Sequence, residues 1–175
     1  MDNPHVPDPT WQSGTMSALS QVSESSLGRE SAAKLRELFR NVDGEVFEDG
    51  MTSNFSTALH GIISEYGTVA VEQLGKMTLA RDAPVDVAEE ALRQVGHIKD
   101  AATHDARLSL LERALESPEL RIRDGGAIGI DYMEDPSAVP SLERALKRET
   151  YGWLGQYIRD VIARLRMSNE VSEDH

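Results

Sequence analysis

Residues 122–146, IRDGGAIGIDYMEDPSAVPSLERAL, decide the fold of this chain. They read as a helix, a tight turn and a second helix, and parts of them recur. Leu-Glu-Arg-Ala-Leu at 142–146 repeats the same five residues at 111–115, and Ile-Arg-Asp at 122–124 repeats at 158–160. Self-similarity at such spacings marks stacked helical hairpins, because one hairpin alone cannot bury its apolar face. The small residues Gly125, Gly126, Ala127 and Gly129 carry a second message. Each glycine costs an isolated helix about 1 kcal/mol relative to alanine. Their grouping predicts a neighbouring helix packed close against that face.

Working outward, Val87 to Ile122 is 35 residues and Ile122 to Ile158 is 36, so first helices recur regularly. The two LERAL motifs lie only 31 apart, which the sequence suggests is due to a longer turn, GHIKDAATHDA, at 96–106. The second hairpin is read as 85–95 with 104–116, ended by Ser117-Pro118. Before it, Phe55, Ala58, Leu59, Ile62 and Ile63 form a helical stripe capped by Ser53 or Asn54 and closed by Tyr66. Gly67-Thr68 breaks the chain ahead of a partner helix over 69–80, giving a first, degenerate hairpin. Upstream, Leu35, Leu38, Phe39 and Val42 predict a helix starting at 26–30 and ended by Asp43-Gly44. The acidic segment 44–54 lacks calcium-loop spacing. A last helix over 153–166 closes the stack. The expected organisation is therefore a flexible arm over 1–28, a helical domain over 29–166 and an acidic, disordered tail over 167–175.

Composition sets the outer limits. The 175 residues are 39% hydrophobic and 27% charged, as in an ordinary globular domain, and contain no cysteine. Disulfides, thiolate metal sites and cysteine nucleophiles are thereby excluded. No apolar run approaches the roughly 20 residues needed to span a bilayer, and the first residues lack the pattern of a secretory signal. A cytoplasmic protein without a membrane partner is expected. The formal net charge of −12 disfavours nucleic acid and favours a partner protein with a basic surface.

Ile122-Arg123-Asp124 followed by Asp135-Pro136-Ser137-Ala138-Val139-Pro140-Ser141-Leu142 resembles the HEAT-like repeat of the phycobilisome-lyase type. In that family an Asp-Pro-x-Ala-Val-Pro-x-Leu turn joins two antiparallel helices, and an arginine matched here by Arg123 and Arg159 lies early in the first. The resemblance covers 85–166, extends faintly over 50–83 and is absent from 1–49. It implies an all-α fold, a right-handed α-solenoid of three to four HEAT-like hairpins whose second helices line a concave face. The family includes scaffolds, chaperone-like subunits and a few enzymes, so the fold does not fix the function.

No catalytic constellation emerges. The histidines at 60, 97 and 104 are not followed by glutamate, so the His-Glu pairs of di-iron HEAT-like hydroxylases are missing. There is no nucleophile elbow and no phosphate loop, since Gly125, Gly126 and Gly129 lie within a helix. Neither a metal nor a cofactor is expected. What remains is a binding surface. Glu112, Arg113, Glu143 and Arg144 occupy matching places on the LERAL helices, whose leucines and alanines should be core. Tyr151 and Trp153 add aromatic anchors of the kind favoured at interfaces. The expected function is a non-enzymatic protein-binding module or adaptor with an acidic helical surface. The alternatives are an immunity protein or antitoxin that covers a basic toxin, and a lyase-like subunit that handles a bound chromophore. Association with a second copy is a further possibility.

Overall fold

The computed structural model describes residues 12–42, 53–80 and 82–173, with side chains described over 26–42, 53–80 and 82–168. Among these residues the chain is all-α, without strands. The helices are α1 (Gln12–Arg40), α2 (Asn54–Tyr66), α3 (Thr68–Leu79), α4 (Val85–His97), α5 (His104–Ala114), α6 (Leu120–Met133), α7 (Val139–Arg148) and α8 (Gly152–Glu173). Short 3₁₀ turns at Ala101–Thr103 and Pro136–Ala138 precede α5 and α7. None of these helices is long and apolar enough to cross a membrane.

Two helices outrun their apolar stripes. α1 begins at Gln12 rather than at 26–30, and no proline between Pro9 and its end at Arg40 interrupts it. The stripe marks only the part that packs, where Leu35 and Phe39 are buried. α8 likewise continues past 166 to Glu173, into what reads as a tail. Residues 1–11 of the expected arm, the 44–52 loop segment and the last two residues lie outside the described residues.

Local chemistry sets the other boundaries. Ser53 caps α2 by accepting from the Ser56 backbone N–H at 2.9 Å, and the Ser56 hydroxyl accepts from the Ser53 N–H at 3.0 Å. Gly67 breaks the chain between α2 and α3 with a left-handed φ of 59°. Asp100 and Asp135 cap the two 3₁₀ turns, accepting from Ala102 and Ser137 respectively.

Those equivalent caps correct the reading of the second hairpin. Asp100 and Asp135 are 35 residues apart, in step with the first helices. Leu111 follows Asp100 by 11 residues, whereas Leu142 follows Asp135 by 7. The two helices begin in register and differ by one residue in length, so the LERAL motif itself sits one helical turn later along α5 than along α7, and the turn before it is ordinary.

The core is one continuous cluster running from Leu35 to Leu165. First helices touch in order, α2 with α4, α4 with α6 and α6 with α8, while α1 packs on α3 and α3 on α5. The most extensive pairing is α4 with α6, and glycines explain it. A Cβ on Gly125 would fall 2.8 Å from the Glu89 carbonyl oxygen, and one on Gly129 would fall 2.6 Å from that of Leu92. On the adjacent face of α6, a Cβ on Gly126 would come 2.9 Å from the Ala114 Cβ of α5. The close neighbour that the glycine cluster predicts is thus present on two sides.

Arg107 is 1% exposed, the largest fully buried side chain. Its Nε donates to the Thr103 hydroxyl (3.1 Å), Nη1 to the Val95 carbonyl (3.1 Å) and Nη2 to the Asp100 carbonyl (2.8 Å). Burial lowers its pKa. The guanidinium thereby ties the start of α5 to the C-terminal end of α4, where free carbonyls and the helix dipole favour a cation.

Candidate functional site

The turn after α5, the start of α6 and the α7–α8 link meet around Arg123. Its Nε and Nη2 donate to Glu149 at 2.8 and 3.2 Å, and its Nη1 donates to the carbonyls of Ser117 and Pro118, both at 3.1 Å. Glu149 also accepts from the backbone N–H of Thr150 and of Tyr151, each at 2.9 Å. Its side chain is 1% exposed. Burial pushes the Glu149 carboxyl up, but Arg123 and the Tyr151 N–H outweigh that and hold it below the usual range.

This buried pair fixes the corner that carries the two predicted aromatics. Tyr151 is 48% exposed, and the Arg123 guanidinium carbon sits 5.9 Å from its ring centroid. Trp153 is 56% exposed at the start of α8 and makes no hydrogen bond or ring contact among the described residues. Beside Tyr151 lies a groove of about 290 Å³ lined by Ser117, Pro118, Arg148 and Thr150. Two large amphipathic rings, carried on a backbone tied to Glu149 next to a polar groove, suit contact with another macromolecule. They offer no nucleophile paired with a base.

The apolar residues of both LERAL motifs face the core, although the motif sits one turn later along α5 than along α7. Leu111, Ala114, Leu115, Leu142 and Ala145 are buried. The charged pairs are partly committed within the chain. Glu112 accepts from the Ser141 hydroxyl, and Ser141 in turn accepts from Arg144 Nη2 at 2.8 Å. α5 and α7 are thereby linked. Glu143 pairs with Arg166 of α8 instead, and Arg113 lies against α3, with Nη1 3.9 Å from where a Cβ on Gly75 would be. The four residues therefore do not form one cluster with Tyr151 and Trp153.

The net charge is also unevenly distributed. The described side chains include 20 acidic and 17 basic residues, against 30 and 18 in the whole chain. Most of the acidic excess thus falls in 1–25, 43–52 and 169–175.

The histidines take structural parts. His97 stacks on Tyr132 with ring centroids 3.8 Å apart, and burial, His60 and Lys99 lower its pKa. His104 lies 2.7 Å from Asp135, and His60 reaches the Gln94 carbonyl at 3.2 Å. No group of three His, Asp or Glu suited to a metal occurs among the described residues.

Sequence reasoning did not find the Arg123–Glu149 anchor. Arg123 stood out only through the repeat, and Glu149 follows the last recognisable motif with no signal of burial. The equivalent Arg159 is exposed and has no ion pair among the described residues. Comparison with known proteins gave no match, since no protein-family model, no curated protein and no solved structure is significantly similar to this chain.

Proposed function

We propose that this chain is a non-enzymatic protein-binding module built as a short α-solenoid of HEAT-like hairpins. The solenoid reading draws on the order of contacts, with α2, α4, α6 and α8 in one row and α1, α3 and α5 in another. The binding reading rests on one observation above all: Tyr151 and Trp153 stand exposed on a corner fixed from beneath by Arg123 and Glu149. Tyrosine and tryptophan have only two side-chain torsions to order on binding, and here they stand on an anchored backbone, so the entropic cost is low. The partner is another protein. Its basic patches would meet the acidic segments that flank the helices, while its apolar side chains would meet the aromatic corner.

The test is affinity capture from the native host with the wild-type chain and a Tyr151→Ala/Trp153→Ala variant. A protein retained by the wild type and lost by the folded variant is the expected result. An identical set retained by both would exclude this corner as the binding face.

A further inference from the structure

A second surface differs in chemistry from the aromatic corner. Between α1 and α3 runs a groove of about 710 Å³ whose walls carry Arg29, Arg36 and Lys76, with Glu72 and Gln73 also lining it. On the side of α3 that faces α5, the Arg113 guanidinium lies 3.9 Å from where a Cβ on Gly75 would be.

None of these four cations has a hydrogen-bond or ion-pair partner among the described residues. Most other described cations do. Arg93 and Arg121 meet at Glu89, Arg123 holds Glu149, Arg164 holds Asp131, Arg166 holds Glu143 and Lys34 holds Glu65. Glu72 lines the same groove, yet no member of this group pairs with it. The four cations also come from three helices that touch in sequence, α1 with α3 and α3 with α5.

We infer that this groove binds a short carboxylate-rich peptide segment of a partner protein. Arg29 and Arg36 are two turns apart on α1, about 10 Å at 1.5 Å per residue. A peptide in the polyproline II conformation rises about 3.1 Å per residue with three residues per turn, so acidic side chains three residues apart share one face and match that spacing. Each guanidinium can take a carboxylate in a two-point contact, and Lys76 on the opposite wall supplies a third charge. The Gln73 amide, between the walls, suits a peptide backbone group. Glu72 breaks the positive run and the chain's net charge is −12, so a nucleic acid, with its far denser charge, fits this face less well.

The probe is a fluorescein-labelled octaglutamate peptide, read by fluorescence polarisation, with octaglutamine and an eight-residue oligothymidylate as comparisons. The proteins are the full chain, Arg36→Glu/Lys76→Glu and Tyr151→Ala/Trp153→Ala, each checked for helicity. Octaglutamate should bind the wild type and the aromatic variant equally, weaken at least tenfold in the charge-reversed variant, and weaken further as salt rises. Octaglutamine should not bind. Three results would overturn the inference: no octaglutamate binding to the wild type at 50 mM salt, equal binding by the charge-reversed variant, or tighter groove-dependent binding of the oligonucleotide. Because the aromatic variant serves as its own control, failure at this groove and failure at the aromatic corner are distinguished.

Discussion

Gly96 of α4 and Gly129 of α6 meet backbone to backbone: a Cβ on Gly96 would lie 2.7 Å from both the Cα and the carbonyl carbon of Gly129. No side chain movement can relieve such an overlap, so the two helices would have to separate. Gly96→Ala should cost about 3 kcal/mol, at the upper end of what overpacking costs. Gly61, in the exposed interior of α2, has nothing within 4 Å of its would-be Cβ. Gly61→Ala should therefore stabilise by about 0.8 kcal/mol through helix propensity alone. Urea unfolding of both variants measures the contrast.

Arg107→Leu removes three donors and leaves the Val95 and Asp100 carbonyls without their partner. A loss of about 3 kcal/mol is expected, since each buried unsatisfied acceptor costs about 1–3 kcal/mol. Arg107→Lys should recover little, because a single ammonium cannot span the fork of acceptors that a guanidinium reaches. Chemical denaturation of the two variants checks both statements.

Arg123→Ala strands a nearly fully buried Glu149 carboxylate and should cost about 3 kcal/mol. Arg123→Met/Glu149→Leu should recover much of that loss, since apolar replacement of a buried pair is often close to neutral. A double-mutant cycle measured by thermal unfolding separates the pair from its surroundings.

Acidification should destabilise the fold in two stages. His97 has a pKa lowered by burial, His60 and Lys99, against a smaller opposing effect of Glu90. The unfolded chain therefore takes up a proton at this site first. The associated stability is complete above about pH 6.5 and is lost as pH falls through the lower folded value. His97→Phe, which keeps a ring against Tyr132, should flatten the fall in Tm between pH 7 and 5. Glu149, also lowered, contributes stability above the usual carboxylate range near pH 4 that disappears below it. Glu149→Gln should flatten that second stage only.

Legibility in the sequence follows from how each feature is encoded. The helices were readable because apolar residues recur at helical spacing, and the Gly125–Gly129 cluster announced a close neighbour because glycine is otherwise unfavourable there. The repeated Asp100 and Asp135 caps were visible too. They were overshadowed by LERAL, which sits one turn later along α5 than along α7 and so suggested a longer preceding link. Arg107 and Glu149 gave no warning, because burial of a charge depends on carbonyls and cations brought in by distant segments. At the site, Tyr151 and Trp153 are exposed as expected, whereas Glu112 and Glu143 are engaged by Ser141 and Arg166, partners that lie 29 and 23 residues away.

The most direct test of the central claim is hydrogen–deuterium exchange on the chain bound to its captured partner. The account predicts slowed exchange at 149–157, around Tyr151 and Trp153, with the far face of α2 unchanged. Protection confined to other helices, with 149–157 exchanging as in the free chain, would contradict it.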